Sequence, residues 1–280
     1  MASAKGLGIE TARGIVHTWE CDAVEHFTTA AYFRHLSAAT MRMLKRLGFE
    51  LGDPSLPWTE SCVARFMMEL RVGDVYDIAS GVVESGGGTI VLGHTLRNSP
   101  TGEVCTTFLQ ELKGSAKADA SPFLIDWEDR ESSRRPDASR ASVWLPSSAT
   151  IVRAQEVDWA GRLDLGTLID QLSAANVQCL AGVGMSPSYM RENRTGYSTA
   201  EYQLRLFGPL PGSGAELESE SAVVHVGRSS VWAVHRLYDR RDNELVASLG
   251  QLGVHLDLDR RKASTLPDEI RQRALRGLKP

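Results

Sequence analysis

The chain has 280 residues, 42% hydrophobic and 24% charged, with 31 Lys+Arg against 35 Asp+Glu for a formal net charge of -4. That length supplies apolar material for two cored domains, and the acidic balance lacks the basic footprint of a dedicated nucleic-acid binder. No stretch of about 18 apolar residues could span a membrane, the first residues hold no apolar signal core, and the four cysteines (Cys21, Cys62, Cys105, Cys179) have no C-x-x-C or metal-like spacing. The expected compartment is the cytoplasm.

Taken in order, Arg13–Cys21 alternates Ile15, His17, Trp19 and Cys21 with smaller or polar neighbours, the period of a strand. Tyr32, Leu36, Ala39, Met43 and Leu47 then recur at steps of three and four. The spacing predicts a long amphipathic helix over 28–47, closed by Gly48. After a Gly/Pro loop come strand-like runs near 62–70, 74–84, 89–98 and 103–112, with GGG at 86–88 and SPTG at 99–102 as hairpin turns. Residues 114–147, rich in Ser, Asp and Arg, read as a linker, in which Phe123, Ile125 and Trp127 alternate as if to pin it down. A second strand near 149–157, a helix near 164–181 and strands near 197–207, 216–226, 229–238 and 244–256 follow. The tail beyond Asp259 reads as a short helix with Pro267 in its first turn.

This order is written twice. LSAA at 36–39 recurs at 172–175, and Glu20 and Asp22 answer Glu156 and Asp158 at the same offset of 136. Further on, His94 answers His235 and Gln110 answers Gln251 at an offset of 141, so one short insertion separates the two registers. An ordered series of matches is the mark of a tandem duplication. The fold class is α+β, each half a long helix wrapped by an antiparallel sheet. The expected division is a first domain over 1–113, a linker over 114–147 and a second domain over 148–280. Two such copies are expected to pair about a pseudo-twofold axis as an internal dimer, with pairing of whole chains as a further homodimer left open.

WECDAVEHFTTAAYFRHLSAA resembles the opening of hot-dog-fold acyl-CoA thioesterases of the 4-hydroxybenzoyl-CoA thioesterase-like group. Their pattern is Asp, two residues, Gly-His, one residue, two Asn-like positions and a Tyr in the helix. Asp22, His26 and Tyr32 fit it, with Glu25 at the Gly position and Thr28 and Thr29 for the Asn pair. The second copy has Asp158 and Gly161, but Arg162 where His is usual, and its VHLDLDRRKASTLPDEIR resembles the closing segment of double hot-dog thioesterases. The resemblance implies a tandem hot-dog fold and cofactor-independent hydrolysis of an acyl thioester carried by CoA or acyl carrier protein.

Such chemistry needs a base or nucleophile near the carbonyl and donors for the oxyanion. Asp22 and Asp158 each fall between a strand and a helix N-terminus, where a carboxylate and free N–H groups converge. The plain alternative is that each is a turn residue. His26 is the third catalytic candidate, orienting the loop or polarising the carbonyl. Arg162, Glu60 and Glu201 are candidates for substrate binding, against an ordinary surface role. His94 and His235 match inside strands and read as cross-strand partners. Asp22 is expected to carry most of the turnover, because Arg162 would tie Asp158 into an ion pair. The four cysteines and seven histidines suggest no metal cluster, and no cofactor is expected. Two rival functions stand beside hydrolysis: a 3-hydroxyacyl-thioester dehydratase pairing His26 with Asp158, and a binding module that kept the fold without the chemistry.

Overall fold

A computed structural model of the chain describes residues 8–278 apart from 23–24, 51, 54, 115 and 129–136. The opening heptapeptide and the middle of the expected linker therefore lie outside the described residues. By contacts the chain divides into two compact units. One comprises Met1–Ser132, Arg153–Asp170 and Leu206–Ser213; the other comprises Ser133–Val152, Gln171–Arg205 and Gly214–Pro280.

In the first unit β1 (Ile9–Ile15) precedes helix α1 (Thr29–Arg46), and β2 (Trp58–Phe66), β3 (Val75–Gly86), β4 (Thr89–Asn98) and β5 (Val104–Lys113) follow. The sheet order is β1-β3-β4-β5-β2, every pair antiparallel. Its helix forms where the period-3.6 pattern places it. Thr28 caps it by accepting from the Ala31 N–H, Lys45 and Arg46 sit at its negative end, and Gly48 (φ 84°) ends it. The helix buries Phe33, Leu36, Met43 and Leu44 on the sheet face that carries Val82, Ile90, Leu92 and Leu112. Phe33 meets Phe108 edge-on at 5.5 Å. A residue buried like Phe33 contributes about 1.5–3 kcal/mol through the water it sheds.

The other face of that sheet is covered by the segment expected to be pinned. Gly81 and Gly93 lie opposite one another on β3 and β4. A Cβ at Gly81 would overlap Ile125 and one at Gly93 would overlap Trp127, so the two glycines form the notch in which these side chains sit. The Ile125 N–H donates to the Val82 carbonyl at 2.9 Å. With both faces covered, β3 is buried over eight consecutive residues rather than alternating.

The second unit holds β6 (Leu145–Ile151), most of α2 (Leu165–Gly182), α3 (Pro187–Glu192), β7 (Thr195–Leu206), β8 (Glu216–Val226), β9 (Ser230–Asp239), β10 (Glu244–Asp257), β11 (Lys262–Ala263) and α4 (Asp268–Arg276). Its sheet order, β6-β8-β9-β10-β7, is that of the first unit strand for strand. This is the tandem α+β plan read from the repeat, and it fits the double hot-dog fold that the resemblance implies. Leu180, Met185, Val231 and Ala233 form its core with Ile270 and Ala274 of α4.

Three local expectations are corrected. The first strand spans Ile9–Ile15 rather than Arg13–Cys21, because the Glu20 carboxylate turns back to accept from the His17 N–H and closes Thr18–Glu20 into a 3-10 turn. The strand near 149–157 ends at Ile151 for the same reason, with Glu156 accepting from the Arg153 N–H. Helix α3 was not foreseen, although Ser186 at its N-cap and Pro187 in its first turn are the expected start signals. Among the described residues no helix is long and apolar enough to cross a membrane.

Candidate active site

Each 3-10 turn leads into the loop that carries an Asp candidate, and the two loops repeat bond for bond. In the first copy the Asp22 N–H donates to the His26 carbonyl at 2.9 Å, and the Glu25 N–H donates to the Asp22 carbonyl at 3.1 Å. Asp22 Oδ1 accepts from the His26 N–H at 2.9 Å. In the second copy the Asp158 N–H donates to Arg162 at 2.6 Å and Gly161 donates to Asp158 at 3.0 Å. Asp158 Oδ1 accepts from the Arg162 N–H at 3.0 Å. One oxygen of each Asp thus builds the turn, which is why Asp stands there in both copies.

The side chains that the loops present differ. His26 Nε2 lies 3.2 Å from Glu69. Arg162 Nε lies 3.6 Å from Asp158 Oδ2, and its Nη2 donates to the Pro57 carbonyl at 3.4 Å. Glu60 pairs with Lys113 at 3.0 Å, and Glu201 accepts from Gln203 at 2.6 Å.

Asp158 and Arg162 line a cavity of about 60 Å³ within the first unit. That is room for a few waters. Asp22, His26, Glu60 and Glu201 do not line it. One wall is apolar, made by Met41 and Leu44 of α1 with Leu112, Leu206 and Leu210. The rest of the lining includes polar residues that sequence reasoning missed. Thr40 of α1 donates to Gln110 Oε1 at 2.7 Å, and Gln110 Nε2 donates to Thr59 Oγ1 at 2.8 Å. These three residues come from a helix and two strands, and only the strand register brings them together. The one available signal was the recurrence of Gln110 at Gln251.

Asp164 was missed as well. It caps α2, its Oδ1 accepting from Gly166 at 2.8 Å and Thr167 at 3.2 Å, and it faces the same cavity. Burial pushes its carboxyl above the ordinary value, against the helix N–H groups, the Ser37 hydroxyl and Arg34, which all favour the anion. Gly166 lets this end approach α1 closely, since a Cβ would meet Arg34 and the Ala30 carbonyl at 3.0 and 3.1 Å. Because Asp164 occupies two of the helix N–H groups, donors for a substrate oxygen come more readily from the Thr40–Gln110–Thr59 group. Among the described residues, no group of three His, Cys, Asp or Glu side chains is placed to hold a metal.

The model of the thioesterase-like superfamily matches residues 16–141 and again 152–274, one match for each copy of the repeat. No curated protein matches the chain. Solved structures share its fold. A 12:0-ACP thioesterase from Umbellularia californica is 13% identical, covers 90% of this chain and 95% of its own, and superposes with a TM-score of 0.65. An acyl-ACP thioesterase from Bacteroides thetaiotaomicron is 8% identical, covers 86% and 96%, and also reaches 0.65.

Proposed function

Because the chain belongs to the thioesterase-like superfamily, we propose that it hydrolyses an acyl thioester, of CoA or acyl carrier protein, in the cavity beside Asp158. The observation that carries this reading is one pocket holding two carboxylates, further polar residues and an apolar wall. The apolar wall takes the acyl group. The polar residues offer the Thr59 hydroxyl, which accepts from Gln110 and keeps its own proton, to the thioester carbonyl, where negative charge develops as it is attacked.

Asp158 then acts as base. Its carboxylate takes a proton from a water as the hydroxide oxygen bonds to the carbonyl carbon, giving a tetrahedral oxyanion. When the C–S bond breaks, the thiolate takes that proton back from Asp158, leaving acid and thiol. Arg162 holds the Asp158 carboxylate and can receive an anionic part of the substrate. The equivalent loop at Asp22 and His26 would be a second site, and Glu60 on β2 and Glu201 within β7, outside this cavity, would serve substrate binding there. By the repeat, the domains of this reading are 1–113 and 148–280 joined by 114–147, in a cytoplasmic protein that needs no cofactor.

One observation favours a second reading, a thioester-binding module. Asp158 already accepts from Ala160 and Arg162 and faces the Arg162 guanidinium, which draws on the carboxylate a base would need. Incubation with a panel of acyl-CoAs, following free thiol, separates the two. Catalytic thiol release is the expected result, and stoichiometric binding without turnover would favour the module.

A further inference from the structure

Behind the polar residues of the cavity runs a hydrogen-bonded array that crosses the sheet. Thr11 on β1 lies 2.5 Å from the Ser80 hydroxyl on β3, Ser80 lies 2.7 Å from His94 Nδ1 on β4, and Gln110 is diagonal to His94 on β5. Gln110 in turn holds Thr40 and Thr59 at the cavity. His94 is fully buried, and its Nε2 has no partner in hydrogen-bonding geometry. Related residues stand in the second unit: Ser147 lies 2.7 Å from Ser221, Ser221 2.7 Å from His235 Nδ1 and Gln251 Nε2 2.8 Å from Thr199, with the same bare Nε2 on a buried histidine. The two copies differ at Glu25 and Gly161, at His26 and Arg162, and at Thr28 and Asp164. The Ser–His pair and the Gln–Thr bond recur in both, but Asn176 stands at the Thr40 position and the buried Gln251 Oε1 has no partner in hydrogen-bonding geometry, so the second array ends short of the first.

The array has a direction. Thr11 spends its hydroxyl proton on the Ile78 carbonyl at 3.1 Å, so it accepts from Ser80. Ser80, with one proton, must then accept from His94 Nδ1–H, and a neutral imidazole so placed has a bare Nε2 that can only accept. The donor in reach is the second N–H of Gln110. With its nitrogen edge turned to His94 and Thr59, Gln110 leaves its oxygen to Thr40, as observed. Thr59, accepting from Gln110, keeps its own proton for the cavity.

We propose that His94 is a positioning residue, which by accepting from Gln110 fixes the amide and makes Thr59 the hydroxyl that donates to the substrate carbonyl. The consequence for turnover rests on the cavity being the thioester site. The fixing of Gln110 does not. His94→Leu fills the same space but takes the imidazole partner from the Ser80 hydroxyl and from one Gln110 N–H, so it is expected to be less stable than the parent, and its fold is checked first by circular dichroism. His94→Gln restores an acceptor near the Nε2 position.

The test pairs NMR of the Gln110 side-chain amide, assigned by its loss in Gln110→Leu, with steady-state kinetics on an acyl-CoA. Expected is a displaced Gln110 amide resonance in His94→Leu but not in His235→Leu. With it should come a kcat lowered about tenfold, the scale of one hydrogen bond, an unchanged KM, and recovery in His94→Gln. A folded His94→Leu protein whose Gln110 resonance and kcat are both unmoved would overturn the proposal. If the parent releases no thiol from any thioester while the resonance still moves, the positioning stands and the hydrolase reading fails.

Discussion

Glu25 and Gly161 occupy the same left-handed position in two copies of one turn, with φ of 65° and 72°. The turn demands this backbone, because the residue three after the Asp must donate its N–H to the Asp carbonyl while the next N–H reaches the Asp side chain. Glycine takes that conformation freely, and a residue with a Cβ does so at about 1 kcal/mol. Glu25→Gly is therefore expected to leave stability unchanged or raise it slightly, and Gly161→Ala to lower it by about 1 kcal/mol. Urea denaturation of both variants checks this. Equal losses at the two positions would mean that the turn is not the same in solution.

The second prediction weighs the two Asp residues. Sequence reasoning favoured Asp22, because Arg162 would occupy Asp158. The structure does pair them, at 3.6 Å, yet Asp158 lines the cavity and Asp22 does not. A base acts only within reach of the water it deprotonates, so position outweighs the ion pair. Asp158→Asn should lower kcat by about 10²-fold, the usual scale for losing a general base, with a smaller loss for Asp22→Asn. Steady-state kinetics on folded single mutants decides it, and a larger loss at Asp22 would restore the earlier expectation.

A third prediction concerns the linker. Trp127 sits where a Gly93 side chain would be, so Gly93→Ala must displace the indole. Overpacking of this kind costs about 1–3 kcal/mol. In Gly93→Ala combined with Trp127→Ala the overlap disappears, and the double variant should lose less than the sum of the single losses. A strictly additive cycle by thermal or urea unfolding would show that the segment does not seat on the glycine notch.

Much of this was legible because the chain repeats itself. A constant offset fixes which strand answers which, and the helices fell within two residues of Thr29–Arg46 and Leu165–Gly182. What failed was local competition. Apolar alternation continues past Ile15, but the side chain of Glu20 finds the His17 N–H and ends the strand. The site was only half legible. Asp158 and Arg162 could be named from one short motif, whereas Thr40, Thr59 and Gln110 are far apart in sequence and meet through register and helix placement. Asp164 was missed, and its burial against α1 depends on Gly166 and on a neighbour more than 100 residues away.

The last prediction is acid sensitivity set by the buried histidines. Desolvation pushes both His94 and His235 down to about 4, from an unfolded value near 6.5, because a charged imidazole loses its water without gaining a counter-ion. His255 is lowered by burial too. Between pH 6.5 and 4 the unfolded chain therefore binds protons that the folded chain refuses. With more protons bound in the unfolded state, stability rises with pH across that window and is lost as pH falls through it. Each of the two fully buried histidines contributes about 3 kcal/mol at most to that loss. Carboxylates held below their ordinary values, such as Asp53 beside Lys117 and Asp239 beside Arg241, add a loss of their own only at lower pH. Urea unfolding at steps from pH 7.5 to 4 should show a steep decline beginning near 6.5. Replacing both histidines, as His94→Leu with His235→Leu, should flatten it, at a stability lowered across the whole range because Ser80 and Ser221 lose their histidine partners. A parent curve already flat between pH 6.5 and 4.5 would mean that these imidazoles are charged in the folded state, and with that the neutral, accepting Nε2 assigned to His94 would be lost as well.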